Sequence, residues 1–401
     1  MADLVSDQDK QISFLKTCIN GMNALSGIGI LSVPYALSSG GWLSLVILLL
    51  IAAAACFTAL LISRCMDANP ESRSYIDIAG QAFGRKGRVI ASVFICLELF
   101  FVATGLLIME GDNLTKLSPG FALKLGSMTL EGKLAFVIFS GLAILPSMWL
   151  NDLSALSYVS AGGVLCSLVI LVCVFCVGVT KEVGFHGKGR LINLNGIPTA
   201  INLYTFCYGA HAVFPPIYSS MRKKSQFSKV LLTSFIICTI TYMSMAILGY
   251  LIYGQNVQSQ VTLNLPTEKV SSKIAIFTVL AAPIAKYALT VMPIATAIAS
   301  RLPANYRGRK AINIVIRMSI LISTVVLAVV FPSFQSVMSL CGAVLVVCVS
   351  FLFPCLCYLK TFEIYKKWGI ELVGIVIIML LALGVGSVGT YSSIAQTVKQ
   401  I

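Results

Sequence analysis

Apolar runs long enough to cross a bilayer recur from end to end of this chain, and its charged residues fall almost entirely between them. That pattern leaves few folds open. Inside a hydrocarbon layer every backbone N–H and C=O must be satisfied by the protein itself, so a spanning segment is either a helix or part of a closed barrel. The runs are about 20 residues long, where a barrel strand needs roughly ten, and this selects helices. With 58% hydrophobic and 11% charged residues and a mean hydropathy of +0.92, the expected fold class is an all-α polytopic membrane protein with no separate soluble domain.

Eleven runs qualify as transmembrane helices: residues 12–38, 42–64, 88–111, 133–149, 153–179, 197–219, 229–253, 273–299, 311–331, 336–359 and 368–392. The opening MADLVSDQDKQ is polar and acidic, without a basic n-region or a small-residue cleavage site, so the first run is expected to remain as a span. A net charge of +14 raises the question of nucleic acid. The basic residues, however, form short clusters at run ends, with no aromatic interleaving and no zinc-ligand spacing, so they read as topology determinants and no nucleic-acid partner is expected. Placing the N-terminus in the cytoplasm puts the clusters around Arg64 to Arg88, Arg222 to Lys229, Arg301 to Arg317 and Lys360 to Lys367 inside. An odd number of spans then puts the C-terminus on the lumenal or outer side. The thirteen cysteines lie mostly within apolar runs and read as small core side chains rather than disulfide partners. Asn113-Leu114-Thr115 has the spacing of a glycan acceptor but sits too close to the membrane to serve well as one.

Two of the runs are interrupted. SGIGILSVP, Ser26 to Pro34, places two glycines and a proline in the middle of the first. Relative to alanine, glycine costs a helix interior about 1 kcal/mol and proline about 3 kcal/mol, so the backbone is expected to unwind there. The sixth run carries Gly209, His211, Pro215 and Pro216 in NLYTFCYGAHAVFPPIYSS, and aligning Pro34 with Pro215 superposes the two segments in outline. The first enters from one face and the sixth from the other. Interrupted spans at corresponding positions of two inverted halves point to a transporter site near the bilayer midplane. The expected organisation is a cytoplasmic tail at 1–11, a first repeat at 12–179, a non-cytoplasmic loop at 180–196, a second repeat at 197–359, and a peripheral eleventh helix with a short non-cytoplasmic C-terminus at 360–401.

Unwinding at Ser26, Gly27, Ile28 and Gly29 exposes the N-terminal end of a half-helix, whose dipole suits a carboxylate. The two glycines serve either ligand approach or close helix packing. Glu98 lies mid-span in VFICLELFFVATG and must face the bundle interior, where it either supports a carbonyl of a broken helix or couples transport to protons; Thr104 lies nearby as a candidate ligand hydroxyl. Lys286 is too far from either span end to snorkel. It is satisfied either by carbonyls that Pro283 and Pro293 free on its own helix, with Thr290 on the same face, or by standing where a bound Na+ would stand beside the first break. His211 is a candidate proton carrier in the second break, and Tyr204, Cys207 and Tyr208 precede it as candidate pocket walls. Asp152, between the fourth and fifth runs, reads as a helix N-cap. The sequence carries no phosphate loop, nucleophile elbow or metal-ligand cluster, so no enzyme activity, cofactor or metal is expected.

NGMNALSGIGILSVPYAL followed by GGW, then ELFFVATG with GDNL, and later IPTAINLYTFCYGAHAVFP, resemble the amino acid/auxin permease family, and within it the plant vacuolar amino acid transporters. The resemblance runs over roughly residues 12–392. It implies eleven helices in a five-plus-five inverted repeat of the amino-acid-polyamine-organocation, LeuT-like type, and transport of neutral amino acids coupled to protons rather than to Na+. It further implies that Ser26 to Gly29 hold the substrate's carboxylate and amino groups, with Thr104, Tyr204 to Gly209 and the turn from Lys286 to Thr290 completing the pocket, and it favours a vacuolar or other endomembrane over the plasma membrane. The alternative of another class is an amino acid sensor that binds without transport and signals to a cytoplasmic partner. A channel is disfavoured because no charged ring or repeated filter is present.

Overall fold

The computed structural model describes residues 12–125, 128–149, 156–186, 189–303, 310–331, 333–366 and 368–400. Among the described residues the regular elements are helices, apart from one short antiparallel hairpin, β1 (Ala122–Leu125) and β2 (Met128–Glu131). Its helices are α1 (Phe14–Leu25), α2 (Val33–Gly40), α3 (Ser44–Ala68), α4 (Tyr75–Leu117), α5 (Gly132–Ile144), α6 (Leu156–Val179), α7 (Ile197–Cys207), α8 (Phe214–Ser220), α9 (Phe227–Tyr253), α10 (Val270–Ala299), α11 (Lys310–Val330), α12 (Phe334–Leu340), α13 (Phe353–Thr361) and α14 (Ile370–Gln400). The hairpin occupies what the sequence leaves as a loop.

Among the described residues, eight helices are long and apolar enough to cross a membrane: α3, α4, α9, α10, α12 running on into α13, α14, and the described stretches Ala161–Val179 and Ala311–Val330. The remaining three apolar runs are a shorter helix, Gly132–Met148, and the two interrupted segments, each built from two helices too short to span alone. Asp152 lies outside the described residues, as do residues 1–11 of the tail.

Two of the long helices depart from regularity. α4 starts well before the expected boundary at residue 88, because Ser74 and Asp77 form a reciprocal capping box and Gly84, at φ +64°, folds the helix into an elbow. Residues 341–352, between α12 and α13, are wound with wider i to i+5 turns. Such turns inside α-helices gather at functional sites, and here Tyr75 of the elbow donates its hydroxyl to the Val349 carbonyl within them, at 2.5 Å.

All thirteen cysteines are free, and most are buried. Asn113 is fully buried and donates to Met109 O and Gln260 Oε1, both at 2.8 Å, so it is a packing amide and not an exposed acceptor for a glycan.

Candidate functional site

The two interrupted segments are built to one plan. α1 ends at Leu25, the chain loses helical geometry at Ser26 and Gly27, makes a tight turn over Ile28–Leu31, and resumes as α2 with Pro34 in its first turn. α7 ends at Cys207, the chain unwinds through Tyr208 to Ala210, makes a tight turn over His211–Val213, and resumes as α8 with Pro215 in its first turn. The prolines therefore do not make the breaks. They sit where a helix has no partner for its first N–H groups and where their fixed φ favours a new start. The second break is correspondingly shorter than the sequence outline, and Tyr204 belongs to the helix before it.

One side chain serves both segments. Tyr242 of α9 is fully buried; its hydroxyl lies 2.5 Å from the Leu25 carbonyl and 3.2 Å from the Cys207 carbonyl. These are the terminal carbonyls of α1 and α7, which have no intrahelical donor.

At the first break, Ser26 donates to Ser167 Oγ of α6 at 2.7 Å, and Ser167 donates to the Gly163 carbonyl at 3.1 Å. Gly163 is also where α1 and α10 converge: a Cβ built there would lie 2.0 Å from Asn23 Oδ1 and 3.1 Å from Lys286 Nζ. Lys286 thus faces α6 and α1 rather than the carbonyls of its own helix, and it pairs with no carboxylate among the described residues. Thr290 does not reach its ammonium; the Thr290 hydroxyl donates to the Lys286 carbonyl at 3.0 Å. The two glycines separate cleanly. A Cβ on Gly29 would stand 2.8 Å from Cys207 Sγ and 3.3 Å from Cys207 Cα, so Gly29 lets the two breaks touch, whereas a Cβ on Gly27 meets only the Leu25 carbonyl at 3.9 Å. Ile28 is buried between them and reaches toward Gly105 of α4.

At the second break, Gly209 admits the side chains of Glu98 and Val346: a Cβ there would lie 3.1 Å from Glu98 Oε1 and 2.8 Å from Val346 Cγ2. Glu98 is buried, and its Oε2 has no hydrogen-bond partner among the described residues. His211 is fully buried and turned toward α3, with Nε2 at 3.0 Å from both Thr58 Oγ1 and the Ala55 carbonyl. Because the Thr58 hydroxyl gives its own proton to α3 carbonyls, both neighbours accept, which assigns the imidazole proton to Nε2.

Of the other predicted pocket residues, Tyr204 makes its hydrogen bond with Ser44 of α3 at 3.1 Å, Tyr208 makes its own with Thr239 of α9 at 2.9 Å, and Thr104 donates to Phe100 O at 2.9 Å. All three are buried. The structure therefore gathers Ser26 to Gly29, Cys207, Gly209 and Glu98 about the two breaks, with Lys286 flanking the first, and it directs the hydroxyls of Tyr204, Tyr208, Thr104 and Thr290 elsewhere.

A family model described as transmembrane amino acid transporter protein matches residues 10–397. The chain belongs to the transmembrane amino acid transporter family. Two members from Arabidopsis thaliana, amino acid transporters AVT1I and AVT1J, are 51% and 49% identical to it, covering 97% and 98% of this chain and 96% and 93% of their own. Amino acid transporter AVT1B of the same plant is 42% identical over 97% of this chain and 72% of its own length. Among solved structures, a substrate-bound, outward-open Na+-coupled sialic acid symporter aligns over 96% of this chain and 89% of its own, with a TM-score of 0.56 at 13% identity, a likeness of fold alone. This member of the amino acid transporter family is thus a multi-pass membrane protein and not an enzyme.

Sequence reading of this transporter-family chain passes over Tyr242, Ser167 and Asn23. Each is an uncharged polar residue in a largely apolar run, and only the convergence of α1, α6, α7 and α9 shows what it touches.

Proposed function

We propose that this chain is a secondary active transporter that moves neutral amino acids by alternating access, coupled to protons, through eleven spans arranged as two inverted repeats of five with α14 outside them. The observation that carries the reading is the Tyr242 hydroxyl held between the terminal carbonyls of two half-helices interrupted to one plan. Those half-helix ends and the open face of Gly27 form the substrate site, with the backbone from Ser26 to Gly29 meeting the amino acid's carboxylate and amino groups and Cys207 to Gly209 closing the far side.

Alternating access needs one body to rock against another, and polar bonds at membrane depth support a body made of α1, α2, α3, α7, α8 and α9. Tyr242 joins α9 to α1 and α7; Tyr204 and His211 join the second segment to α3; Tyr218 donates to Asp67 at the end of α3; and Ser234 of α9 donates to the Cys18 carbonyl of α1 at 3.3 Å. Toward the remainder, Ser26 meets Ser167, and Asn202 of α7 donates to Ser339, Ser393 and the Gly389 carbonyl at 3.0 to 3.1 Å. These are the contacts that exchange as the site turns from one face to the other.

Proton coupling is assigned to Glu98 beside the second break, with Lys286 standing as a fixed cation beside the first, where it takes the place of a bound Na+. His211, with one ring nitrogen committed to α3, is assigned a structural part. The N-terminus is cytoplasmic, by the distribution of Lys and Arg, and the membrane is a vacuolar or other endomembrane, as the family resemblance implies. The deciding experiment is uptake of labelled neutral amino acids by proteoliposomes under an imposed pH gradient of either sign. Gradient-dependent uptake, unaffected by replacing Na+ with choline, is the expected result. Flux insensitive to pH removes the coupling, and ligand binding without flux favours a sensor.

A further inference from the structure

We propose that the elbow of α4 holds one anionic glycerophospholipid, its acyl chain in the groove between α4 and α13 and its phosphate on Lys86 and Arg85. The groove is a cavity of about 320 Å³ walled by Ala79, Phe83, Ile90, Phe353 and Leu356, with Lys86 at its rim. It is built by the backbone. Gly84 bends the helix back at φ +64°, and the two arms close so tightly that a Cβ on Gly87 would lie 2.2 Å from the Ala79 carbonyl and one on Gly80 would lie 2.3 Å from Arg88 Nε. The Phe94 ring meets Phe353 edge to face at 5.3 Å beneath.

The groove faces outward from the bundle. Phe83, Ile90 and Leu356 are 43%, 49% and 37% exposed. It lies where the apolar run of α4 begins, beyond the basic residues at the elbow, and where that of α13 ends, before Lys360, so its apolar wall meets lipid tails while its rim meets headgroups. Charge decides which lipid. Asp77 is the acidic residue paired at the elbow, and it is taken by Arg88 at 3.9 Å, which leaves Arg85 and Lys86 exposed and without an ion pair among the described residues. An apolar trough with Lys86 at its rim and the exposed Arg85 next to it in the chain is complementary to an acyl chain ending in a headgroup of net negative charge, whereas a zwitterionic headgroup brings its own cation and offers no net charge to balance them. Each basic residue near an anionic membrane surface is worth about fivefold in affinity.

The test is native mass spectrometry of the detergent-purified full chain, titrated with phosphatidylglycerol and phosphatidylcholine of identical acyl chains, with melting temperature read in parallel. One phosphatidylglycerol is expected to be retained in preference to phosphatidylcholine. Lys86→Glu should cut that preference by about fivefold or more without altering the melt, since the side chain is exposed. Leu356→Trp, which fills the trough, should displace the retained lipid. Lys223→Glu, on another basic loop, should leave the preference intact. Equal retention of the two lipids overturns the proposal, as does an equal loss of preference in Lys223→Glu, which would mean general surface charge. Displacement of the lipid by glycerol phosphate alone also overturns it, because the trough would then contribute nothing.

Discussion

The two interrupted segments share a plan and differ in what surrounds them. Around the first break the backbone has space on one side, at Gly27, and its side chains lead into a polar line through Ser26 and Ser167 to the Gly163 carbonyl, beside which the Lys286 ammonium stands. Around the second there is no such space. Gly209 is filled in by Glu98 and Val346, and His211 is tied to α3. One break is open and flanked by a cation; the other is closed and flanked by an acid. A repeated backbone design thus has two different chemical surroundings, and the function proposed above assigns ligand binding to the first and proton coupling to the second.

The comparison breaks most readily at the two charged side chains. Glu98→Gln and Lys286→Ala are expected to reduce proton-driven uptake to near background while sparing amino acid exchange between the two faces; if both variants keep the pH dependence of the parent, neither residue is the coupling group. The next largest effect separates the glycines. Gly29→Ala forces a methyl against Cys207 and should lower stability by about 1–3 kcal/mol, the usual cost of overpacking, seen as reduced folded yield and melting temperature. Gly27→Ala should leave the melt unchanged and weaken substrate binding, and the reverse pattern would exchange their roles. Tyr242→Phe removes a bond shared by the two half-helix ends. Polar bonds between membrane helices average about 0.6 kcal/mol and reach about 1.7 kcal/mol, so a modest fall in melting temperature is expected, together with a larger fall in transport rate. Smallest is Thr104→Val, which forfeits a hydroxyl bonded within its own helix. Substrate affinity should not move, and a clear loss would return Thr104 to the pocket.

How much of this was legible beforehand follows from what kind of signal each residue leaves. The breaks were readable because glycine and proline carry backbone information wherever they stand, and a charge at membrane depth, as at Glu98 and Lys286, is conspicuous whatever its partner. The direction of a hydroxyl is not written in that way. Tyr204, Thr104 and Thr290 fall at pocket-facing positions by family pattern, yet each has a carbonyl or hydroxyl close by with which it forms a hydrogen bond. Lys286 shows the same limit: two prolines on its own helix offered nearby acceptors in sequence, and the fold gave it α6 and α1 instead. The elbow of α4 leaves no hydropathy signal because YIDIAGQAF is too short and too polar to register as a span; its sequence mark is the Ser74 and Asp77 capping box that starts the helix.

Ile12, the first described residue, forms a parallel bridge with Met221: its N–H donates to the Ser220 carbonyl at 3.0 Å, and its carbonyl accepts from Arg222 N–H at 3.1 Å. This ties the start of α1 to the end of α8 at one membrane face, while Tyr242 ties the end of α1 to the end of α7 near the middle. The two interrupted segments are therefore pinned to each other at two heights, like the side rails of a hinged frame. Tilting α1 outward by itself would tear a pair of backbone bonds, so the lower half of the first segment can swing only if α8 swings with it.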